Sequence, residues 1–345
     1  MIRIDVAQFG DIGQTIYRPL DELSISPEGL SPRLIKNGYD SYSMLNGRVY
    51  ALPLDPSVQI FLYRTDLFHD AKLCRAYYER FHENLVVPTT YEQYLHAAEF
   101  FTRSCNPDSP TEYGTTMTCG SASVAASDFL PFYLSRIDRF GSTPETLRLD
   151  CPEMQAAMRQ YHALEKFSCK QNWWGDSIQK FAEGKTAMTV IYSNYAAELI
   201  NSGNSVVVGR VGAAILPGCK PLLGGGIVGI SRYSPKAEAC KQFFHWYYSA
   251  DVASLLVRLG GTSPIVDAYE DFQNYSIFPW MNTSKKSFGL GQRGVINQTP
   301  ERFSIPKYEF AVGTAIRNVV QDLMTPEDAS RMAQALYDAA DPVCR

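Results

Sequence analysis

The chain is 345 residues long, which a soft allowance of ~150 residues per domain divides into about two domains. Hydrophobic residues make up 45% and charged residues 20%, an ordinary globular balance with enough apolar material for a substantial core. The formal net charge of −4 leaves no basic footprint for nucleic acid and no polybasic membrane anchor, so direct nucleic-acid binding is not expected.

From the N-terminus, Met1 to Val6 lacks the basic, apolar and small-residue order of an export signal. No apolar run approaches ~20 residues, so no membrane insertion is expected, and as written the chain reads as cytoplasmic. Short apolar strands are expected at residues 2–6, 58–63, 186–191, 206–212 and 226–231. Amphipathic helices alternate with them, which predicts an α/β architecture. Thr89-Thr90-Tyr91-Glu92 has the spacing of a capping box and opens a helix with Tyr94, Leu95, Ala98 and Phe101 inward. A helix is expected around residues 178–184. Ser234-Pro235 sets a cap followed by proline, ahead of Cys240, Phe243, Phe244 and Tyr247 on one face. Thr325-Pro326-Glu327-Asp328 repeats the device before Met332, Ala333 and Leu336.

Gly224-Gly225-Gly226-Ile227-Val228-Gly229 formally matches G-x-G-x-x-G, but its glycines lead into a strand, not a helix, so no dinucleotide cofactor is expected. A glycine run entering a strand fits a hinge or a close backbone approach to a ligand. Adjacent Trp173 and Trp174 cannot both face one core, so at least one ring is a candidate ligand platform. Eight cysteines without C-x-x-C spacing and five scattered histidines argue against zinc, and no metal is expected. A chain this long needs no disulfide staples, so the thiols are read as free and mostly buried, which fits a reducing compartment. Cys119 sits in a loop-like stretch and is the one nucleophile candidate. No G-x-S-x-G or H-E-x-x-H motif is present, and the sequons at Asn282 and Asn297 are read as accidental.

In order along the chain, these segments resemble the extracellular solute-binding proteins of bacterial ABC importers, the carbohydrate-binding group with the type II periplasmic-binding fold. Ile4-Asp5-Val6 through Tyr17-Arg18-Pro19-Leu20-Asp21-Glu22-Leu23 is similar to the strand, ligand loop and ending of that family's first lobe. Gly47 to Pro53 with Ile60 to Phe68 resembles the first crossing strand, and Pro88-Thr89-Thr90-Tyr91-Glu92 the helix start after it. Phe181-Ala182-Glu183-Gly184-Lys185-Thr186-Ala187-Met188 followed by Tyr192-Ser193-Asn194 is similar to a helix-to-strand unit whose strand ends at the ligand. The glycine run with Ser234-Pro235 matches a second crossing, and Gly260-Gly261-Thr262-Ser263-Pro264 the bend beyond it. The strand–helix–strand portion that usually opens the first lobe has no counterpart, so that lobe reads as incomplete. Phe278-Pro279-Trp280 and the segment 287–293 resemble cytoplasmic versions of the fold fused behind a GntR-type winged helix-turn-helix.

The resemblance implies a two-lobed α/β fold with hinge crossings. Residues 1–57 and 223–268 would form the first lobe, and 58–222 with 269–345 the second. It implies non-catalytic binding of a small solute, a mono- or oligosaccharide, in an inter-lobe cleft, with ligand favouring the closed state. The ligand-binding residues carried over are Gln8, Phe9, Asp11, Asp55 and Gly225 from the first lobe, and Trp174, Tyr192, Ser193, Asn194 and Tyr308 from the second. Asp11 and Asp55 would accept hydroxyl hydrogen bonds, while Phe9, Tyr192 and Tyr308 would supply stacking faces. Three roles stay open. One is an importer's receptor, extracellular or membrane-anchored and read by an ABC permease. Another is the cytoplasmic sensor half of a regulator joined to a DNA-binding domain. The third is a cysteine-dependent enzyme using Cys119.

Overall fold

The computed structural model describes residues 1–23, 31–36, 42–137, 148–201, 203, 205–293 and 304–339. Among them the strands are β1 (Ile2–Asp5), β2 (Met44–Leu45), β3 (Arg48–Val49), β4 (Ala51–Arg64), β5 (Thr115–Thr118), β6 (Ser168–Gln171), β7 (Met188–Tyr192), β8 (Val211–Ala214) and β9 (Leu223–Gly229). The architecture is α/β, and the chain forms two compact units. The first comprises Met1–Gln59 and Leu222–Pro306, and the second Ile60–Arg139, Arg148–Pro221 and Lys307–Arg345. Residues 269–293 and 304–306, expected with the second lobe, belong to the first unit. They do so through the helices Phe272–Ile277 and Met281–Leu290, which pack on helix Asp267–Glu270.

In the first unit β9 lies between β1 and the beginning of β4, antiparallel to both. Val6, Phe9, Tyr17, Leu52 and Ile227 are fully or nearly fully buried around this sheet. Each such side chain stabilises the unit by roughly 1.5–3 kcal/mol. Asn46 and Gly47 at positive φ make the two-residue turn that pairs β2 with β3. The run in β4 is interrupted by Pro53 and Pro56, which lack ladder donors, and the register shifts between Pro53 and Asp55. Side chains hold the irregular backbone there. The Tyr248 hydroxyl donates to the Pro53 carbonyl at 2.6 Å, and that of Tyr247 to the Leu54 carbonyl. The Tyr42 hydroxyl donates to Gly224 of β9 at 2.7 Å.

In the second unit the end of β4 pairs antiparallel with β8 and lies beside β7, while β5 and β6 form a parallel pair. β8 occupies only the end of the expected 206–212 strand. Val206 and Val208 are more than half exposed, and the chain turns through Gly209, with Arg210 N–H donating to the Val207 carbonyl at 2.9 Å. Helix Tyr91–Phe100 has its capping box one residue later than expected: Thr90 accepts from Gln93 N–H, and Gln93 reciprocates. Helix Ala122–Leu134 is predominantly apolar and buried from Val124 to Leu134, as a helix inside a core must be. Helix Trp174–Ala182 packs on β5, β6 and β7, and its Phe181 and Ile178 are fully buried.

Candidate functional site

In the second unit, aromatic residues gather where helix Trp174–Ala182 begins and β7 ends. Trp173 precedes the helix in extended conformation, so its ring points away from the helical face that Trp174 buries. Trp174 is 6% exposed, whereas Trp173 is 47% exposed. Of the two rings read as candidate platforms, that of Trp173 is the more exposed. The Trp173 indole N–H donates to the Tyr195 phenol oxygen at 2.7 Å, and the two rings meet edge-to-face at 6.4 Å. Trp174 packs edge-to-face on Tyr192 at 4.9 Å and on Trp173 at 4.8 Å, which anchors the exposed ring on a buried pair.

Tyr195 follows β7 in a short 3-10 turn with Ser193 and Asn194. Burial raises its phenol pKa, opposed by hydrogen bonds from Trp173 and Asn194, so it stays protonated at neutral pH. Its oxygen accepts from Trp173, and its own hydrogen can be donated onward. Asn194 is exposed, while Tyr192 and Ser193 are buried. The result is a flat indole face bordered by a phenol and a carboxamide. Such a surface stacks on C–H faces and hydrogen-bonds hydroxyls. Tyr195 was not singled out from sequence, and its signal was its place three residues beyond Tyr192, in the turn that closes β7.

Tyr308 lies elsewhere in this unit. It is 2% exposed and edge-to-face with Tyr337 at 6.5 Å, so it is a core ring and offers no stacking face.

In the first unit, Gln8 is exposed, but Phe9 is fully buried and likewise offers no stacking face. Asp11 lies in the first turn of helix Phe9–Ile16. Its Oδ2 accepts from the Ser304 hydroxyl at 2.6 Å, and its buried Oδ1 has no hydrogen-bond partner among the described residues. Burial raises the Asp11 pKa, opposed by the Ser304 bond. Asp55 is engaged by Arg3, whose guanidinium donates to both carboxylate oxygens at 3.0 and 2.7 Å. Gly225 approaches the backbone of Asp55, which a Cβ on Gly225 would meet at 2.1 Å. The close approach foreseen for the glycine run is thus made to a neighbouring strand.

The cysteines described are free thiols, but only Cys240 is buried; Cys219 is exposed and the others are half-buried. Burial raises the Cys119 pKa, as does the nearby Asp128, and Lys170 and Arg317 lower it less. That shift is opposite to the one that activates a nucleophile. Cys119 is expected to alkylate with iodoacetamide more slowly than exposed Cys219. Peptide mapping over a time course checks this, and faster labelling of Cys119 would restore the nucleophile reading. No cluster of three or more His, Cys, Asp or Glu is placed to hold a metal among the described residues. Among them, too, no helix is long and apolar enough to cross a membrane.

Residues 4–280 match the family model described as bacterial extracellular solute-binding protein. Among solved structures, an ABC transporter solute-binding protein from Agrobacterium radiobacter K84 in complex with ribitol superposes with a TM-score of 0.79 at 20% identity, over 96% of this chain and 82% of that one. One from Agrobacterium vitis S4 with bound D-mannitol gives 0.76 at 19% identity, over 97% and 83%. Maltose-bound MalE3 of T. maritima gives 0.71 at 20% identity, over 97% and 83%.

Proposed function

The chain belongs to the bacterial extracellular solute-binding protein family, and on that premise we propose that it binds a sugar or sugar alcohol reversibly and returns it unchanged. The observation that carries the reading is the half-exposed Trp173 ring, fixed by its N–H to Tyr195 and flanked by Asn194. A ring held in one orientation loses little freedom when a ligand stacks on it. Hydroxyls beside the stacked face then find the phenol and carboxamide, and a ligand lacking them would leave those groups unpaired. The polyols and sugars bound by the solved neighbours support this chemistry.

The role we propose is that of a receptor that supplies its solute to an ABC permease, without catalysis. The raised Cys119 pKa speaks against that thiol as a nucleophile. Calorimetric titration with ribitol, D-mannitol and maltose, monitored in parallel by tryptophan fluorescence, tests it. At least one is expected to bind at a single site and be recovered chemically intact. Failure of these and a wider panel of sugars and polyols to bind, or conversion of any of them, would overturn the proposal.

A further inference from the structure

Helix Ala122–Leu134 carries a carboxylate into the core of the second unit. Asp128 is 9% exposed and sits among Phe129, Leu130 and Phe132 on a predominantly apolar helix. Its Oδ2 accepts from the Tyr161 hydroxyl at 2.7 Å and from the Thr118 backbone N–H at 3.2 Å. Neither donor is charged, and no ion pair to Asp128 is found among the described residues. Asp128 also lines a small, partly open pocket of about 10 Å³, with Tyr91, Tyr94, Thr116 and Tyr161. That volume has room for about one water molecule. The Tyr91 hydroxyl, on the same pocket wall, has no partner among the described residues.

Two neutral donors do not replace the hydration that a carboxylate loses on burial, so the protonated acid is the form that fits this core. We propose that Asp128 folds as a neutral carboxylic acid and makes the second unit a proton-sensitive element, whose stability declines as the medium is raised from acid to neutral. The titratable groups facing it are the phenols of Tyr91 and Tyr94 from helix Tyr91–Phe100, the phenol of Tyr161 from helix Pro152–Glu165, and the Cys119 thiol after β5. All four have pKa values raised by burial, so they stay neutral over the same range. The nearby cations, Arg136 beside Tyr91 and Lys170 and Arg317 beside Cys119, act on those groups and are not among the influences on Asp128.

Burial pushes the Asp128 carboxyl up to about 7, with the bonds from Tyr161 and Thr118 opposing the rise. In the unfolded chain the group titrates near the ordinary value of about 4. Below that pH both states are protonated and the stability is fully present. Between about 4 and 7 only the unfolded chain ionises, so stability falls, and above 7 the loss is complete. The network continues outward, because the Thr118 hydroxyl meets that of Ser177 at 2.8 Å, on the helix that begins at Trp174. Ionisation therefore acts on the frame that carries the aromatic site.

The test follows the Thr118 amide resonance of the full-length chain against pH. A midpoint near 7 is expected in the natural protein, and none in Asp128→Asn. Urea unfolding midpoints of the second unit, read from β5 and β7 amides, are expected to fall between pH 5 and 7.5 in the natural chain. The corresponding folding constant drops on the order of a hundredfold, and Asp128→Asn flattens the curve. A Thr118 amide that does not titrate between pH 5.5 and 8.5, or parallel curves for the two proteins, would overturn the proposal. Should Asp128→Asn not fold, the Thr118 titration in the natural chain decides alone.

Discussion

Gly225→Ala is expected to destabilise the first unit by about 2–5 kcal/mol, among the largest effects of any single substitution. Gly225 has φ +89° and stands opposite Pro56, next to the register shift in β4. A side chain there adopts a backbone conformation that costs roughly 1–2 kcal/mol for an L-residue. Its Cβ would lie 2.1 Å from the Asp55 carbonyl oxygen and 2.9 Å from Ser57 N, both backbone atoms that cannot swing aside. The overlap adds about 1–3 kcal/mol. Gly47→Ala is the control, since Gly47 shares a positive φ but has nothing within 4 Å of the added methyl. It should cost only about 1 kcal/mol. Amide-resolved unfolding of the first unit measures both. Equal costs at the two positions would show that the close approach of β9 to β4 carries no energy.

The second large effect separates the two tryptophans. Trp173→Ala should weaken binding of the cognate sugar or polyol by about 2 kcal/mol or more, roughly thirtyfold, while leaving the melting temperature nearly unchanged. Its ring is half exposed, and its removal takes away a stacking face and the hydrogen bond that orients Tyr195. Trp174→Ala should do the reverse in origin. It empties a buried site against Tyr192 and costs the second unit about 3–5 kcal/mol of stability. Calorimetric affinity and thermal unfolding of both variants check the pair. A Trp173→Ala protein that binds as tightly as the natural chain would remove Trp173 from the site.

The sequence by itself determined the α/β class and the identity and rough place of most strands and helices. These follow from local causes: apolar runs for β4 and β9, and Thr90 and Thr325 as helix caps. The ordered motifs also pointed to the solute-binding family and to the segment around Tyr192, Ser193 and Asn194. The 206–212 strand forms only at its end, because Gly209 turns the chain before it.

Only the tertiary structure decided which side chains are free to meet a ligand. Phe9 and Tyr308 read as stacking rings but are buried in the folded chain. Asp55 meets Arg3 across 52 positions, and Asp11 meets Ser304 across 293. Trp173 and Trp174 are equivalent as neighbours in sequence, and the start of a helix between them sends one ring inward and one outward. Asp128 was invisible in sequence because a carboxylate on a helix is ordinarily solvated. Its burial depends on β5 and on Tyr91 and Tyr161 closing around it, contacts that no local pattern encodes.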